Sequence, residues 1–165
     1  MRLRTTSMLA LLMLFAGCGG KEVLFAKPAM VPAGVDLSGQ WLLRNTSGTT
    51  QRAARETLVY AFYESGTSVK VTQTESGLFV SFDRSVVEEY RFGENRKVSV
   101  GEISADRVSG WEGNAYVIET LDKDGARLSD SYRLDAGGAQ LTRTISIATR
   151  NDTRQMSLQQ VFDRV

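Results

Sequence analysis

Apolar and polar residues alternate along most of this chain, and this alternation constrains the possible folds more than any other feature. Val69 and Val71, for example, alternate with Lys70 and Thr72. A two-residue period places successive side chains on opposite faces of a β-strand. The same period recurs in the runs 78–82, 86–92, 97–100, 116–118, 128–134, 141–147 and 156–162. From Leu37 onward the sequence therefore predicts a series of half-buried strands.

Clusters of turn-forming residues separate these runs, at intervals of about 8–12 residues. The clusters are 75–77, 93–95, 112–114, 122–125, 135–138 and 151–152. Such short connections place strands that are adjacent in sequence beside one another in the sheet. A long meander that closes on itself avoids two exposed edges. We therefore predict an all-β fold, an antiparallel up-and-down meander that closes into a barrel of about eight strands.

One segment, 51–63, departs from the alternation. Ala54, Leu58 and Phe62 have the spacing of one helix face, whereas 57–63 is also rich in residues that favour strands. The residues alone do not separate the two interpretations. We expect a short helix or lid after the first strand.

The N-terminus has the pattern of an export signal. Arg2 and Arg4 precede an apolar run, 8–16, that is shorter than the ~20 residues of a membrane-spanning helix. The end of this run overlaps the sequence Leu-Phe-Ala-Gly-Cys at 14–18. This sequence resembles the lipobox of bacterial lipoproteins. The resemblance implies cleavage before Cys18, acylation of its thiol and attachment of the mature protein to a membrane through lipid.

The same resemblance implies a location in the cell envelope. Gly19 stands where an aspartate retains enterobacterial lipoproteins at the inner membrane, which favours the outer membrane, with the protein facing the periplasm. The following residues contain both prolines of the chain, Pro28 and Pro32, and show no regular period. We predict a signal peptide at 1–17, a flexible tether at 18–35 and a barrel domain at 36–165.

Composition argues against several classes of function. The chain has 20 Lys and Arg against 19 Asp and Glu, and removing the signal leaves 18 against 19, without the basic cluster that a nucleic acid needs. It has no histidine, and its one cysteine is Cys18. The commonest general base and the thiol nucleophiles and zinc ligands are therefore missing from the barrel. We expect no catalysis, no cofactor and no metal.

The two ends of the predicted barrel resemble the calycin signature, which lipocalins and fatty-acid-binding proteins share. Gly39 and Trp41 form a Gly-x-Trp at the first strand, and Arg164 ends the last. In that family the tryptophan plugs one end of the barrel and the arginine packs over its indole, a contact of ~0.5–2 kcal/mol. The runs 108–120 and 132–141 are similar to lipocalin-like domains of bacterial exported proteins. The resemblance implies a lipocalin-like β-barrel.

Charged residues fall on the inward face that the alternation predicts. Polar residues on this face are Glu88, Asp130, Arg143 and Gln160. Because a buried charge is destabilising unless it is paired, these groups either meet one another, lie at a wet rim or bind the head of a ligand. A bulge or a register slip would reverse the faces. We take Glu88, Asp130 and Arg143 as candidate ligand-binding residues, with Phe62 and Tyr63 as lid residues.

Two functions remain open. The first is a membrane-anchored barrel that binds a small apolar or amphipathic molecule. The alternative is an envelope interaction or inhibitor protein, whose filled barrel binds a protein partner through Arg52, Arg55, Tyr60 and Trp111. A cavity of ~300 Å³ or more favours the first, and large side chains filling the barrel favour the second.

Overall fold

The structure is a computed structural model that describes residues 22–83 and 86–165. The predicted signal peptide and Cys18 lie outside the described residues. The ten strands are β1 Gly39–Thr50, β2 Ser68–Gln73, β3 Gly77–Phe82, β4 Val86–Arg91, β5 Glu94–Val100, β6 Ile103–Glu112, β7 Ala115–Asp122, β8 Arg127–Leu134, β9 Gln140–Ala148 and β10 Arg154–Arg164. Two short 3-10 helices, Arg52–Glu56 and Leu58–Phe62, follow β1, and we call them the helical cap.

The strands form one antiparallel sheet in the order β4-β3-β2-β1-β10-β9-β8-β7-β6-β5. Strands that follow one another in sequence are neighbours, and β1 pairs with β10. In the described residues β4 and β5 form the two ends of this order, so the barrel is nearly closed rather than fully closed. The all-β meander, the barrel and the short helices after the first strand are thereby confirmed.

The number of strands differs from the sequence prediction. The barrel has ten strands rather than about eight. The run that is hardest to recognise is β6, whose inward positions include Ala105, Arg107 and Ser109. Because small and charged side chains stand where apolar ones are expected, the alternation of this strand is weak in the sequence.

One end of the barrel is closed by Trp41. Its side chain is fully buried, and its indole Nε1 donates to the carbonyl oxygen of Leu37 at 3.2 Å. The guanidinium carbon of Arg164 lies 4.3 Å from the centre of the indole ring. Arg164 also donates to the carbonyl oxygens of Ser38 and Gly138, each at 2.8 Å. These contacts tie the start of β1 to the end of β10 and to the β8–β9 turn.

Gly39 allows this close approach. Its φ is +153°, and a Cβ atom there would lie 3.0 Å from Nη1 of Arg164 and 3.3 Å from the indole of Trp41. A side chain would therefore strain the backbone and crowd the arginine. The three residues of the Gly-x-Trp and arginine pattern thus meet at one end of the barrel, which we call the plug end.

The described part of the predicted tether lies against the barrel. Nζ of Lys27 is 2.9 Å from a carboxylate oxygen of Glu119. The backbone N–H of Trp111 donates to the carbonyl oxygen of Pro28 at 2.9 Å. Burial would lower the pKa of Lys27, but the hydrogen bonds to its carboxylate partners raise it. Residues 22–35, here called the N-terminal segment, have no helix or strand, yet specific contacts hold them to β6 and β7.

Gly110 makes room for this segment, and this gives a direct test. A Cβ atom at Gly110 would lie 2.4 Å from the carbonyl oxygen of Pro28. Gly110→Ala is therefore expected to lower the free energy of unfolding by about 1–3 kcal/mol and to speed hydrogen exchange of the Trp111 amide, which donates to Pro28. Gly137→Ala, in an open turn, is the control. Equal exchange of the Trp111 amide in both variants and the wild type would contradict the described docking.

Candidate ligand site

The polar residues on the inward face meet beneath the helical cap. Asp130 lies on β8, Arg143 on β9 and Gln160 on β10, and Arg143 is directly opposite Gln160 in the register of the last two strands. Nε and Nη2 of Arg143 donate to the two carboxylate oxygens of Asp130 at 3.0 and 2.7 Å. Nη1 donates to the side-chain oxygen of Gln160 at 3.3 Å. The result is a bidentate ion pair with a third polar partner.

Aromatic rings surround this ion pair. The guanidinium carbon of Arg143 is 4.5 Å from the ring centre of Phe82, 5.5 Å from that of Tyr132 and 5.8 Å from that of Tyr63. The hydroxyl of Tyr132 donates to Asp130 at 3.2 Å, and burial raises the pKa of Tyr132 well above its usual value. Burial would lower the pKa of Arg143, but the charge of Asp130 raises it. Arg143 is therefore a permanent cation with a fixed anionic partner.

A second ion pair spans the open side of the barrel. Nη1 of Arg107 on β6 lies 3.5 Å from a carboxylate oxygen of Glu88 on β4. Nε of Arg107 donates to the hydroxyl of Thr120 at 3.4 Å. The guanidinium carbon is 5.2 Å from the ring centre of Tyr90 and 5.7 Å from that of Phe62. Because β4 and β5 do not pair, this contact links β4 to β6 from inside the barrel.

The last residue of the helical cap and the residue that follows it each place a ring over one arginine. Phe62 lies over Arg107 and Tyr63 over Arg143. The backbone N–H of Val59 donates to the side chain of Asp122 at 3.2 Å and so attaches the second helix to the end of β7. All five residues that the sequence assigns to ligand binding therefore lie in one place, although their role in binding stays a prediction.

We call Glu88, Arg107, Asp130, Arg143 and Gln160 the polar cluster. Arg107 is absent from the sequence-based set, although extending the alternation of β6 from Trp111 through Ser109 places it on the inward face. The alternation of β6 could therefore have predicted that Arg107 belongs to this set.

The barrel interior around the polar cluster is filled. Arg143 is 1% exposed and Arg107 4% exposed, while Phe82, Tyr132 and Ile145 are also buried. Glu88 is the most accessible member of the cluster, with 30% of its side chain exposed. A ligand of the interior would therefore have to displace side chains that pack there in this structure.

The residues that the sequence assigns to a protein interface differ in their exposure. Trp111 is 3% exposed and packs against Phe92 and Tyr116, with ring centres 5.6 and 5.2 Å away. It is therefore part of the core and cannot anchor a partner at the surface. Arg52, in contrast, is exposed on the helical cap, where it lies 3.4 Å from Glu56.

A groove of about 980 Å³ lies outside the barrel, on the face formed by β1 to β4. Exposed apolar side chains of Leu42, Val87 and Val165 line it together with Lys70 and Asp83. This outer groove is separate from the polar cluster, which lies inside the barrel and whose residues come from β4, β6, β8, β9 and β10.

Within the described ranges, no group of three or more acidic, histidine or cysteine residues is arranged to hold a metal ion. No helix of this part of the chain has both the length and the apolar character needed to cross a membrane.

Neither a protein-family model nor a curated protein matches this sequence. Solved structures match its fold. Lipid-binding protein 8 of Caenorhabditis elegans is similar with 10% identity and a TM-score of 0.54, over 81% of this chain and 100% of that one. Fatty-acid-binding protein 1 of Echinococcus granulosus has 12% identity and a TM-score of 0.54, over 78% and 97%. A secretory abundant heat soluble protein of Ramazzottius varieornatus has 11% identity and a TM-score of 0.55, over 78% and 95%.

These similarities establish the fold. The structure is a calycin-like β-barrel of the kind found in lipid-binding proteins, with ten strands and two short helices after the first. The identities are too low to carry a function from these proteins to this one.

Proposed function

We propose that this protein is a lipid-anchored envelope protein whose barrel binds one small apolar or amphipathic molecule beneath the helical cap, without catalysis. The observation that carries the proposal is the polar cluster, which places two ion pairs inside a barrel whose buried residues are mostly apolar. Two of the similar barrels are named for binding lipid or fatty acid, which supports a ligand of this class.

The polar cluster is difficult to explain by stability alone. Replacing a buried ion pair by well-packed apolar residues is often neutral or stabilising by about 1–4 kcal/mol. An interior built only for stability would therefore place apolar side chains at Asp130 and Arg143. Ligand sites, in contrast, combine apolar walls with a few polar groups that fix the orientation of the bound molecule. The cluster has this composition, with Phe82, Tyr90 and Tyr132 as its walls.

The helical cap is the part of the wall that can move most easily. Its helices are only five residues each, and neither has a side-chain hydrogen bond from its N-cap residue. Short 3-10 helices have poor hydrogen-bond geometry, and local opening occurs where few interactions hold a segment. We propose that Phe62 and Tyr63 move away from the two arginines when a ligand enters.

The proposed location rests on the N-terminal sequence. The lipobox resemblance at 14–18 makes Cys18 the acylated residue, and Gly19 favours the outer membrane with the protein facing the periplasm. Two acyl chains suffice for stable anchoring, because each buried methylene contributes about 0.8 kcal/mol. In the native host, replacing residues 1–18 with the cleavable signal peptide of a soluble exported protein should move the protein from the membrane fraction to the soluble fraction. Retention in the membrane would overturn the anchor.

The second candidate function is binding of a protein partner, and two observations favour it. The interior is filled, and the outer groove exposes Leu42, Val87 and Val165. Apolar surface of this kind marks interaction sites in many soluble domains. A photoreactive residue at position 87 would crosslink such a partner in the envelope.

Native mass spectrometry separates the two functions. We expect residues 19–165, exported with such a signal peptide and purified from the periplasm, to carry one small molecule that is lost on denaturation. Ile145→Phe adds bulk next to Asp130 and should abolish the adduct, whereas Thr144→Phe, on the exposed face of the same strand, should retain it. Bare masses for all three folded proteins, together with a specific crosslink from position 87, would replace the first function by the second.

A further inference from the structure

We infer that the interior site selects an uncharged amphipathic ligand, such as a long-chain alcohol or a monoacylglycerol, over a carboxylate of the same chain length. This inference rests on the proposed function and specifies its ligand. The polar cluster contains two cations, Arg107 and Arg143, and two anions, Glu88 and Asp130. The charges of the cluster are therefore balanced before any ligand binds.

Arg143 is the first group that an anionic ligand would have to engage. Its Nε and Nη2 donate to Asp130, and its Nη1 donates to Gln160. The carboxylate of Asp130 thus already occupies the fork of the guanidinium, which is the geometry that binds a carboxylate best. A ligand carboxylate that took this place would leave Asp130 buried without its partner. That exchange replaces one bidentate pair by another and adds an unpaired buried charge.

Arg107 offers no free cation either. Its partner Glu88 lies 3.5 Å away, and Thr120 and the rings of Tyr90 and Phe62 surround the rest of the guanidinium. The pair is longer than that of Arg143, and Glu88 is partly exposed. An incoming carboxylate would therefore meet the negative charge of Glu88 on the accessible side of this pair.

An uncharged head avoids both penalties. A hydroxyl can donate to Glu88 or Asp130 and accept from Gln160 without breaking either ion pair. The apolar chain then lies against the buried rings and aliphatic residues beside the cluster, in the space that Phe62 and Tyr63 leave when they move. Neutral polarity of the head, rather than negative charge, is the property that this site recognises.

The test compares matched ligands on the wild type and on Asp130→Asn. Nile red serves as an uncharged fluorescent probe, and hexadecan-1-ol, 1-monopalmitoylglycerol and hexadecanoate displace it at neutral pH. In the wild type, the two neutral ligands should displace the probe at concentrations at least about tenfold lower than hexadecanoate. Asp130→Asn frees Arg143 and should improve displacement by hexadecanoate about tenfold or more, with the neutral ligands little changed.

Thermal unfolding provides the second readout and guards against a misfolded variant. Hexadecanoate should raise the Tm of Asp130→Asn more than that of the wild type, because it supplies the missing partner of Arg143. Glu88→Gln, at the more exposed pair, is the second variant. Hexadecanoate should raise its Tm more than that of the wild type, but less than that of Asp130→Asn. Asp106→Asn, an exposed carboxylate on β6, is the control and should behave as the wild type.

The outcomes distinguish the inference from the proposed function. Tighter binding of hexadecanoate than of the neutral ligands by the wild type would overturn the inference and leave an interior lipid site. If folded Asp130→Asn and Glu88→Gln prefer the neutral ligands over hexadecanoate as strongly as the wild type does, the inference would also be overturned. Failure of Nile red and of all three ligands to bind the folded wild type would overturn the proposed function itself.

Discussion

Replacing Arg143 with methionine is expected to lower the free energy of unfolding by about 3–5 kcal/mol. The guanidinium is 1% exposed and makes two hydrogen bonds to Asp130 from Nε and Nη2 and one to Gln160 from Nη1. Removing it leaves the carboxylate of Asp130 buried without its cation. The loss of contacts with the rings of Phe82 and Tyr132 adds to the effect. Urea unfolding followed by circular dichroism measures the change.

The double variant Arg143→Met with Asp130→Leu identifies the cause. Because it removes both charges and fills the space with apolar atoms, it should recover most of the lost stability. Arg133→Met, at an exposed position on β8, is the matched control and should lie within about 0.5 kcal/mol of the wild type. If Arg143→Met alone is as stable as Arg133→Met, the ion pair is not buried as described.

Trp41→Ala is the second large expected effect, with a loss of about 3–5 kcal/mol. The indole is fully buried at the plug end, donates to the carbonyl oxygen of Leu37 and lies under the guanidinium of Arg164. Its removal opens a cavity where β1 meets β10 and leaves that carbonyl without its partner. Differential scanning calorimetry and urea unfolding measure the loss.

Two milder variants separate the contributions at the plug end. Trp41→Phe keeps most of the apolar volume and should cost less than Trp41→Ala. Arg164→Gln removes the cation over the indole and should cost about 0.5–2 kcal/mol from that contact. An Arg164→Gln loss equal to that of Trp41→Ala would mean that the backbone contacts of Arg164, rather than the buried indole, hold this end together.

The sequence predicts the fold well because alternation and turn chemistry act locally. The inward positions of Glu88, Asp130, Arg143 and Gln160 are also readable, because no register irregularity falls between them and their neighbours on their strands. The pairing of β1 with β10 has its bulge at Leu43/Asn45, and the pairing of β10 with β9 has its bulge at Arg154/Met156. Both bulges lie away from these four residues. A bulge inside β8 or β9 would have reversed the faces and hidden the cluster.

Other features depend on contacts between distant residues and could not be predicted. The pairing of Arg107 with Glu88 requires knowing that the barrel stays open between β4 and β5. The position of the N-terminal segment depends on Lys27 meeting Glu119 and on the absence of a side chain at Gly110. Neither set of contacts produces a periodic pattern in the sequence. For the N-terminal segment, the sequence alone therefore indicated only an irregular stretch with two prolines.

The central claim is that a small molecule binds inside the barrel at the polar cluster. The most direct test is a titration of ¹⁵N-labelled residues 19–165 with 1-monopalmitoylglycerol, observed by nuclear magnetic resonance. We expect saturable shifts of the Arg143 Nε–H signal and of the amides of Phe62, Tyr63 and Asp130. Shifts confined to Leu42, Val87 and Val165 at the outer groove, or no shifts at all, would contradict the claim.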